Sequence, residues 1–358
     1  MIKYKQGGAE IMVGKNIKYY RLLNKMTLSA LAKQLNVTSM AISNYENGLR
    51  NPDINTLKKI ASIFNVEIAK LVAPQNDNLI YNHGAFRKNS TLPVSIQDLI
   101  GESVEKYYNR FFTVVDILGS SVLPDVPLCN QVKLSGDAEA NADAMREWLK
   151  LSKNGPVCNL ISILENTGIL IYKLDIDNDK FSGKNGFVNK RPYIVINSNM
   201  NPERQRSTIA HELAHLCFNW SADMDIKQIE KMATAISGAF LFSKEDAIRE
   251  LGVHRSAIEK DMILVAIEYG ISMLLLAMRA KIVRIIKENV YRNFMIRASQ
   301  HNWRKNEPSR IAEEKTSIFE QLTYRAVVEG SISIQKGAEL LEKSYKEVES
   351  SCFLDGVQ

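Results

Sequence analysis

The chain has 358 residues, of which 45% are hydrophobic and 24% are charged, so it is long enough for two or three domains with buried cores. Its first ten residues contain no apolar segment, and its longest apolar run, Ile271 to Met278, is far shorter than the roughly 20 residues of a membrane-spanning helix. These features argue against a membrane protein and predict a cytoplasmic one. The four cysteines form no C-x-x-C pair, which fits a reducing compartment.

The positive charge is concentrated at the beginning of the chain. Residues 1 to 72 hold 11 Lys or Arg and 4 Asp or Glu, whereas the remainder holds 35 basic and 36 acidic residues. A basic module joined to a neutral body is typical of a nucleic-acid-binding domain fused to a second activity.

The basic module is predicted to contain short helices separated by caps and tight turns. Met12 to Asn24 is amphipathic, and the segments LSALAKQL, SMAISNYEN and INTLKKIASIF follow it, before a short closing helix that ends at Val72. Two short helices joined by a tight turn indicate a helix-turn-helix. The expected caps and stops are Thr27, Asn36, Thr38, Gly48, Asp53 and Asn65.

The segment RLLNKMTLSALAKQLNVTSMAISNYENGLRNPDINTLKKIASIFNV resembles the XRE (Cro-like) repressor domains along its whole length. The resemblance implies an all-α domain of five helices over residues 1–73 that binds double-stranded DNA. It also implies that Arg21 and Glu46 form an internal ion pair with a structural role. A protein-binding helical domain is the alternative interpretation of this module.

The third helix of such a domain enters the major groove by its N-terminal half. Four outward positions there are candidate DNA contacts, and Asn44 is suited to bidentate bonding with adenine. Two lysines are expected to contact phosphates. The candidates are Ser39, Met40, Ser43, Asn44, Lys25 and Lys33. Domains of this type pair over half-sites, so we expect a homodimer on an inverted repeat.

A second motif lies in the segment NPERQRSTIAHELAHLCF, which contains His211, Glu212 and His215 in the spacing His-Glu-x-x-His. Residues four apart on a helix share one face, so both imidazoles can bind one metal ion beside the carboxylate of Glu212. Asn201, Pro202 and Glu203 are the expected cap, first residue and dipole-matched acid of this helix. The strand PYIVIN precedes it, which favours a zinc peptidase over a chance match.

The third ligand has to come from further along the chain. A metzincin is excluded because Phe218 and Ser221 stand where that class has Gly and His. A helix is predicted over Asp225 to Phe242. Glu230 lies near its middle and is the first candidate for the third ligand. The carboxylates that compete with Glu230 are Asp223, Asp225 and Glu245.

The segments RQRSTIAHELAHLCF, Glu230-x-x-Ala233-x-x-Ile236 and AFLFSKE resemble the ImmA/IrrE metallopeptidases. The resemblance implies that His211, His215 and Glu230 bind Zn²⁺. It also implies that Glu212 is the catalytic base of an endopeptidase with narrow substrate specificity. Four positions depart from the family pattern without touching a ligand or the base. They are Ser207, Ala214, Thr234 and Ser243.

The expected fold is mainly α with a small mixed β-sheet, of the α+β class. We expect a helix-turn-helix domain over residues 1–73, a linker over 74–94 and a zincin-like peptidase domain over 95–250. A helix-turn-helix-like subdomain over 251–306 and a C-terminal helical hairpin over 307–358 complete the chain. Within the peptidase domain, the expected strands are Ile169 to Asp175 and Tyr193 to Asn197.

Together the two resemblances imply a DNA-binding transcriptional regulator with a zinc-dependent endopeptidase domain. Its protein substrate would be an XRE-type repressor or its own linker, in a stress or mobile-element response. The alternative is a transcriptional repressor or antitoxin whose metal domain is a non-catalytic ligand sensor. No membrane partner is expected in either case.

Overall fold

The computed structural model describes residues 6–73, 76, 78–84 and 92–353, with side chains from residue 13 onward. Residues 74, 75, 77 and 85–91 of the expected linker lie outside this part of the chain. Most of the described residues are helical, and the strands form a small mixed sheet. The expected fold class is therefore confirmed.

Residues 6–73 form five helices in the expected order, although the first begins at Gln6 rather than at the expected Met12. Thr27, Thr38 and Asp53 cap three of them, and each side chain accepts a hydrogen bond from the backbone N–H three residues on. Asn36 and Asn65 adopt the left-handed conformation that ends two of them. The helices are α1 (Gln6–Leu23), α2 (Leu28–Leu35), α3 (Ser39–Glu46), α4 (Ile54–Phe64) and α5 (Ile68–Val72).

These helices enclose one apolar core that includes Ile17, Leu31, Ile42 and Ile60, all of which are fully buried. Helix α1 lies directly on the C-terminal end of α3, because a Cβ added at Gly14 would stand 2.3 Å from the backbone oxygen of Tyr45. Only glycine permits that approach.

The rest of the described chain alternates short strands with helices. In chain order the elements are β1 (Tyr81–His83), α6 (Val94–Leu118), a 3₁₀ turn (Ser120–Val122), β2 (Val132–Lys133), α7 (Ala138–Trp148), α8 (Leu160–Thr167), β3 (Leu170–Leu174), β4 (Gly183–Val188), β5 (Arg191–Asn197), α9 (Pro202–Cys217), β6 (Phe218–Asn219), α10 (Ile226–Leu241), α11 (Lys244–Leu251), α12 (Asp261–Tyr269), α13 (Met273–Ile282), α14 (Glu288–Gln300), α15 (Ile318–Val328), α16 (Ile334–Leu341) and α17 (Tyr345–Cys352).

The chain divides into two compact units, and the division differs from the expected domain boundaries. Among the described residues, the first unit comprises residues 6–73, 76, 78–81, 92–122 and 320–353, and the second comprises 82–84 and 123–319. Helix α6 therefore belongs with the helix-turn-helix, as do α16 and α17. Within the first unit, Lys15 and Lys18 of α1 form ion pairs of 2.8 Å with glutamates of α6, and Arg110 of α6 donates a hydrogen bond to the backbone oxygen of Leu340.

The second unit is built on a sheet with the strand order β1-β4-β5-β3. Strand β5 runs parallel to β3 and antiparallel to β4, with Asn185 opposite Ile194 and Gly186 opposite Tyr193. All seven residues of β5 are buried. The expected strands correspond to β3 and β5, whereas β4 was not among them.

Two glycines explain why β4 is hard to predict and why it takes this place. Glycine weakens a strand because it has no side chain to pack. Here a Cβ at Gly183 would lie 2.5 Å from Cγ2 of Thr208, and one at Gly186 would lie 2.4 Å from Oη of Tyr193. The glycines thus allow α9 and the Tyr193 ring to approach the strand.

Helices α12 to α14 pack into the same core as the sheet and α9, which agrees with the packing expected of them. The expected helix from Arg255 begins only at Asp261, and Gly270, with a φ of 62°, separates α12 from α13. Over the described residues no single helix is long and apolar enough to cross a membrane. Taken together, α12 and α13 are long and apolar enough by length and composition only, and the pair is bent by 98°.

Candidate functional site

Helix α9 carries the His-Glu-x-x-His motif and is fixed in place by two buried charged groups. Glu203 is fully buried and accepts hydrogen bonds from the Ser309 hydroxyl and the backbone N–H of Ile311, so it anchors a distant segment as well as matching the helix dipole. Arg206 donates to the backbone oxygens of Gly270 and Val157. Asn201 lies at the N-cap position, but its side chain makes no capping hydrogen bond.

The two histidines and Glu230 converge on one point. The Nε2 atoms of His211 and His215 lie 3.2 Å apart. Oε2 of Glu230 is 3.1 Å from Nε2 of His211, and Oε1 is 3.8 Å from Nε2 of His215. Three ligand atoms of these types, all within 4.8 Å of one another, form a candidate metal site.

The spacing of these atoms fits zinc. A tetrahedral Zn²⁺ with ligands at about 2.0–2.1 Å holds its ligand atoms roughly 3.3 Å apart, and the observed separations lie on both sides of that value. Two imidazoles and a carboxylate are also a donor set that suits zinc. The donor atoms present therefore fit Zn²⁺.

The competing carboxylates do not join this cluster in the described part of the chain. Asp225 instead caps α10, where it accepts from the backbone N–H of Gln228 in a capping box. That cap starts the helix that brings Glu230 to the histidines. Thr234, one turn further, was expected to touch no ligand, but its hydroxyl lies 3.4 Å from Nδ1 of His211, where it can steady the imidazole. The same hydroxyl donates to the backbone oxygen of Glu230.

Glu212 is held by a residue that the sequence patterns did not reveal. Nδ2 of Asn185, on β4, donates a hydrogen bond of 2.7 Å to Oε2 of Glu212. Beside it, burial lowers the pKa of Lys184 to about 8, while the negative charge of Glu212 acts in the opposite direction. No motif marks either residue, because β4 itself carries no clear strand pattern.

The surroundings of His215 are apolar on one side. Its ring lies 5.5 Å from the ring of Trp220. Cys217, two residues past the ligand, is buried, and burial raises the pKa of its thiol to about 12. It therefore packs, as expected.

A cavity of about 400 Å³ opens between β2, β6 and α10, lined by residues that include Lys133, Ser135 and Met232.

Helix α3 of the helix-turn-helix has a buried side and an outward side. Ile42 and Tyr45 are buried, so Met40, which is 69% exposed, lies on the outward side. Ser39 and Ser43 are half-buried and take part in local hydrogen bonds: the Ser39 hydroxyl donates to Ser29, and the Asn47 amide donates to Ser43. The remaining candidates are half-buried Asn44 and exposed Lys25 and Lys33.

Arg21 and Glu46 form the predicted ion pair. Nε and Nη2 of Arg21 donate to the two carboxylate oxygens at 2.5 and 2.8 Å, and Nη1 donates to the backbone oxygen of Met26. Both side chains are largely buried. The pair thus ties α1 to the end of α3, which confirms its structural role.

Comparison with known proteins identifies the families of the two parts of the chain that carry these residues. A family model described as helix-turn-helix matches residues 17–71, and one described as IrrE N-terminal-like domain matches residues 164–281. The HTH-type transcriptional regulator ImmR of Bacillus subtilis is 30% identical over 97 residues, which are 27% of this chain and 75% of that protein. The uncharacterized HTH-type transcriptional regulator MJ0272 of Methanocaldococcus jannaschii is 36% identical over 61 residues, 17% of this chain and 92% of that protein.

The chain belongs to the XRE-type helix-turn-helix transcriptional regulators and also carries an IrrE/ImmA-like, metallopeptidase-like domain. The second family match includes His211, Glu212, His215 and Glu230. The N-terminal module of the chain, which the helix-turn-helix family model matches, is a DNA-binding domain.

Proposed function

We propose that this DNA-binding regulator is a zinc-dependent endopeptidase that acts in the cytoplasm. Its substrate would be an XRE-type repressor or its own linker, cleaved in a stress or mobile-element response. The convergence of His211, His215 and Glu230 beside a hydrogen-bonded Glu212 is the observation that carries the proposal. Two histidines, a carboxylate ligand and a second carboxylate in reach are the minimum set for metal-assisted peptide hydrolysis.

Each residue of the site has a distinct role in this proposal. His211, His215 and Glu230 would hold Zn²⁺, which when bound supplies Lewis acidity to the attacking water and the scissile carbonyl. Glu212 takes the proton from the water and delivers it to the leaving amine nitrogen. The amide of Asn185 fixes Oε2 of Glu212 and so limits the orientations of this carboxylate.

On the DNA side, we propose that α3 reads the major groove through Ser39, Met40, Ser43 and Asn44. The exposed amino groups of Lys25 and Lys33 would contact phosphates. A second copy of the chain would place its own α3 one helical turn away, about 34 Å along the duplex, so the operator would be an inverted repeat.

The test of this function is cleavage together with metal content. Purified full-length protein should contain zinc and should cleave a peptide bond in a repressor of the XRE type or in its own linker. Zinc without cleavage would favour the alternative, in which the metal domain is a ligand sensor on a transcriptional repressor or antitoxin. Absence of zinc would contradict both.

A further inference from the structure

A segment of the chain itself covers the strand that carries Asn185, the hydrogen-bond partner of Glu212. In the sheet, β1 lies next to β4. A Cβ added at Gly84 would stand 2.7 Å from the backbone oxygen of Asn185, and one added at Gly186 would stand 2.9 Å from the backbone oxygen of Asn82. The backbones of Asn82–Gly84 and β4 are therefore in direct contact.

A hydrogen bond holds this segment in place. Nδ1 of His83 lies 2.7 Å from Oη of Tyr193, and Tyr193 is 1% exposed on the central strand β5. Because Gly186 has no side chain, the Tyr193 ring can pass over β4 to reach His83. The contact thus fastens β1 to the rigid interior of the sheet across the intervening strand.

The covered edge is the one beside the proposed base. Asn185 touches Gly84 through its backbone oxygen and donates to Glu212 through its side chain. A strand edge binds extended peptides, because its backbone groups pair with a second backbone whatever the side chains are. A peptide paired with β4 would take the position of Asn82–Gly84, beside the strand whose Asn185 side chain bonds to Glu212.

We infer that Asn82–Gly84 is an intramolecular competitor for an extended peptide on β4. The peptide substrate and this segment cannot occupy the edge together, so cleavage requires β1 to leave. The inference rests on the proposed endopeptidase for the identity of the competing ligand, a peptide in strand conformation. Since β1 has only three residues and is not fully buried, its release costs far less than unfolding of the domain.

The experiment measures binding rather than catalysis. The probe is a fluorescein-labelled peptide with the sequence of residues 78–84, NLIYNHG, added to full-length, zinc-loaded Glu212→Gln protein. Two further variants in that background weaken β1: His83→Ala removes the bond to Tyr193, and Gly84→Val forces a side chain against the Asn185 oxygen. Asn82→Ala, which truncates an exposed side chain of the same strand, is the matched control.

We expect both β1 variants to bind the probe at least about tenfold more tightly than the parent, because an attached competitor has an effective concentration in the millimolar range. The control should bind it like the parent. Amides of residues 183–188 should also exchange deuterium faster in the His83→Ala variant. A probe with proline at the position of Asn82 keeps the imidazole but cannot pair fully by its backbone, so it should bind none of the proteins.

Equal probe binding by parent and both variants, with unchanged exchange, would overturn the inference. The inference would also be overturned if the proline probe bound as tightly as the NLIYNHG probe, since the imidazole alone would then explain the binding. Neither readout depends on catalysis. Tighter binding in the β1 variants, combined with no cleavage by the same variants carrying intact Glu212, would leave the competition standing and reject the endopeptidase.

Discussion

Asn185 and Glu212 are joined by a hydrogen bond of 2.7 Å between the amide of a strand and the proposed base on a helix. The contact links β4 to the His-Glu-x-x-His motif, although 27 residues separate the two along the chain. The orientation of Glu212 therefore depends on the strand as well as on its own helix.

Asn185→Ala should lower kcat by about 10- to 100-fold, the range found when a residue supporting a metal site is removed. KM and zinc content should change little, because the change removes the amide that bonds to Glu212 and leaves the backbone of β4 intact. Steady-state kinetics with elemental analysis checks both. Lys180→Ala, an exposed change just before β4, is the control, and a loss of zinc in the Asn185 variant would point to a structural role instead.

A separate prediction concerns the zinc content of variants at the three proposed ligands. The purified chain should carry about one zinc, and His211→Ala, His215→Ala or Glu230→Ala should each lose most of it, because three protein ligands are needed for a site with one open position. Glu245→Ala should keep it. Zinc retained by Glu230→Ala and lost by Glu245→Ala would show that the third ligand is misassigned.

The sequence predicted best where local rules decide the structure. Thr27, Thr38 and Asp53 cap their helices as expected, since a cap needs only its own N–H partners. The motif spacing likewise predicted the meeting of His211 and His215. Glu230 was favoured over three other carboxylates only through the family resemblance.

What escaped prediction depends on contacts between distant segments. Strand β4 has two glycines and therefore a weak strand pattern, so Asn185 could not be placed beside Glu212. The assignment of α6 to the first unit rests on ion pairs such as Lys15 with Glu105, whose partners are 90 residues apart. Spacing rules do not extend to such pairs.

The DNA-binding prediction separates base contacts from phosphate contacts. Asn44→Ala should weaken binding to the operator by about 1–3 kcal/mol and leave non-specific binding nearly unchanged, because it removes one bidentate base contact. Lys33→Ala should weaken binding to all sequences and flatten the dependence of affinity on salt. Titrations of the full chain at several salt concentrations, on an operator selected from random DNA, distinguish the two, and failure to select any sequence would contradict the DNA-reading role.

A buried carboxylate away from the metal site predicts how stability depends on pH. Glu165 is 4% exposed, and burial raises its pKa to about 7, although hydrogen bonds from the backbone of Ser317 and Ile318 act in the opposite direction. Between pH 4.5 and 7 the folded protein therefore holds more protons than the unfolded one, so the free energy of unfolding falls as pH rises through this window.

Glu165→Gln removes this titration. The variant should gain stability over the parent as pH rises from 5 to 8, by up to about 3 kcal/mol, the equivalent of that pKa shift, and the gain should level off above pH 7. Urea unfolding in the presence of a chelator measures it. Glu147→Gln, at an exposed site, should show no such trend, and a gain for Glu165→Gln that is the same at pH 5 and pH 8 would contradict the assignment.

The most direct test of the account is the effect of Glu212→Gln on peptide-bond cleavage at constant zinc content. Zinc-loaded full chain is incubated alone and with a proteome-derived peptide library, and new N-termini are identified by mass spectrometry. We expect cleavage by the parent at a few sites and none by Glu212→Gln, whose amide keeps the shape of the side chain but cannot accept the proton. Equal cleavage by both proteins, or none by a fully zinc-loaded parent, would contradict it.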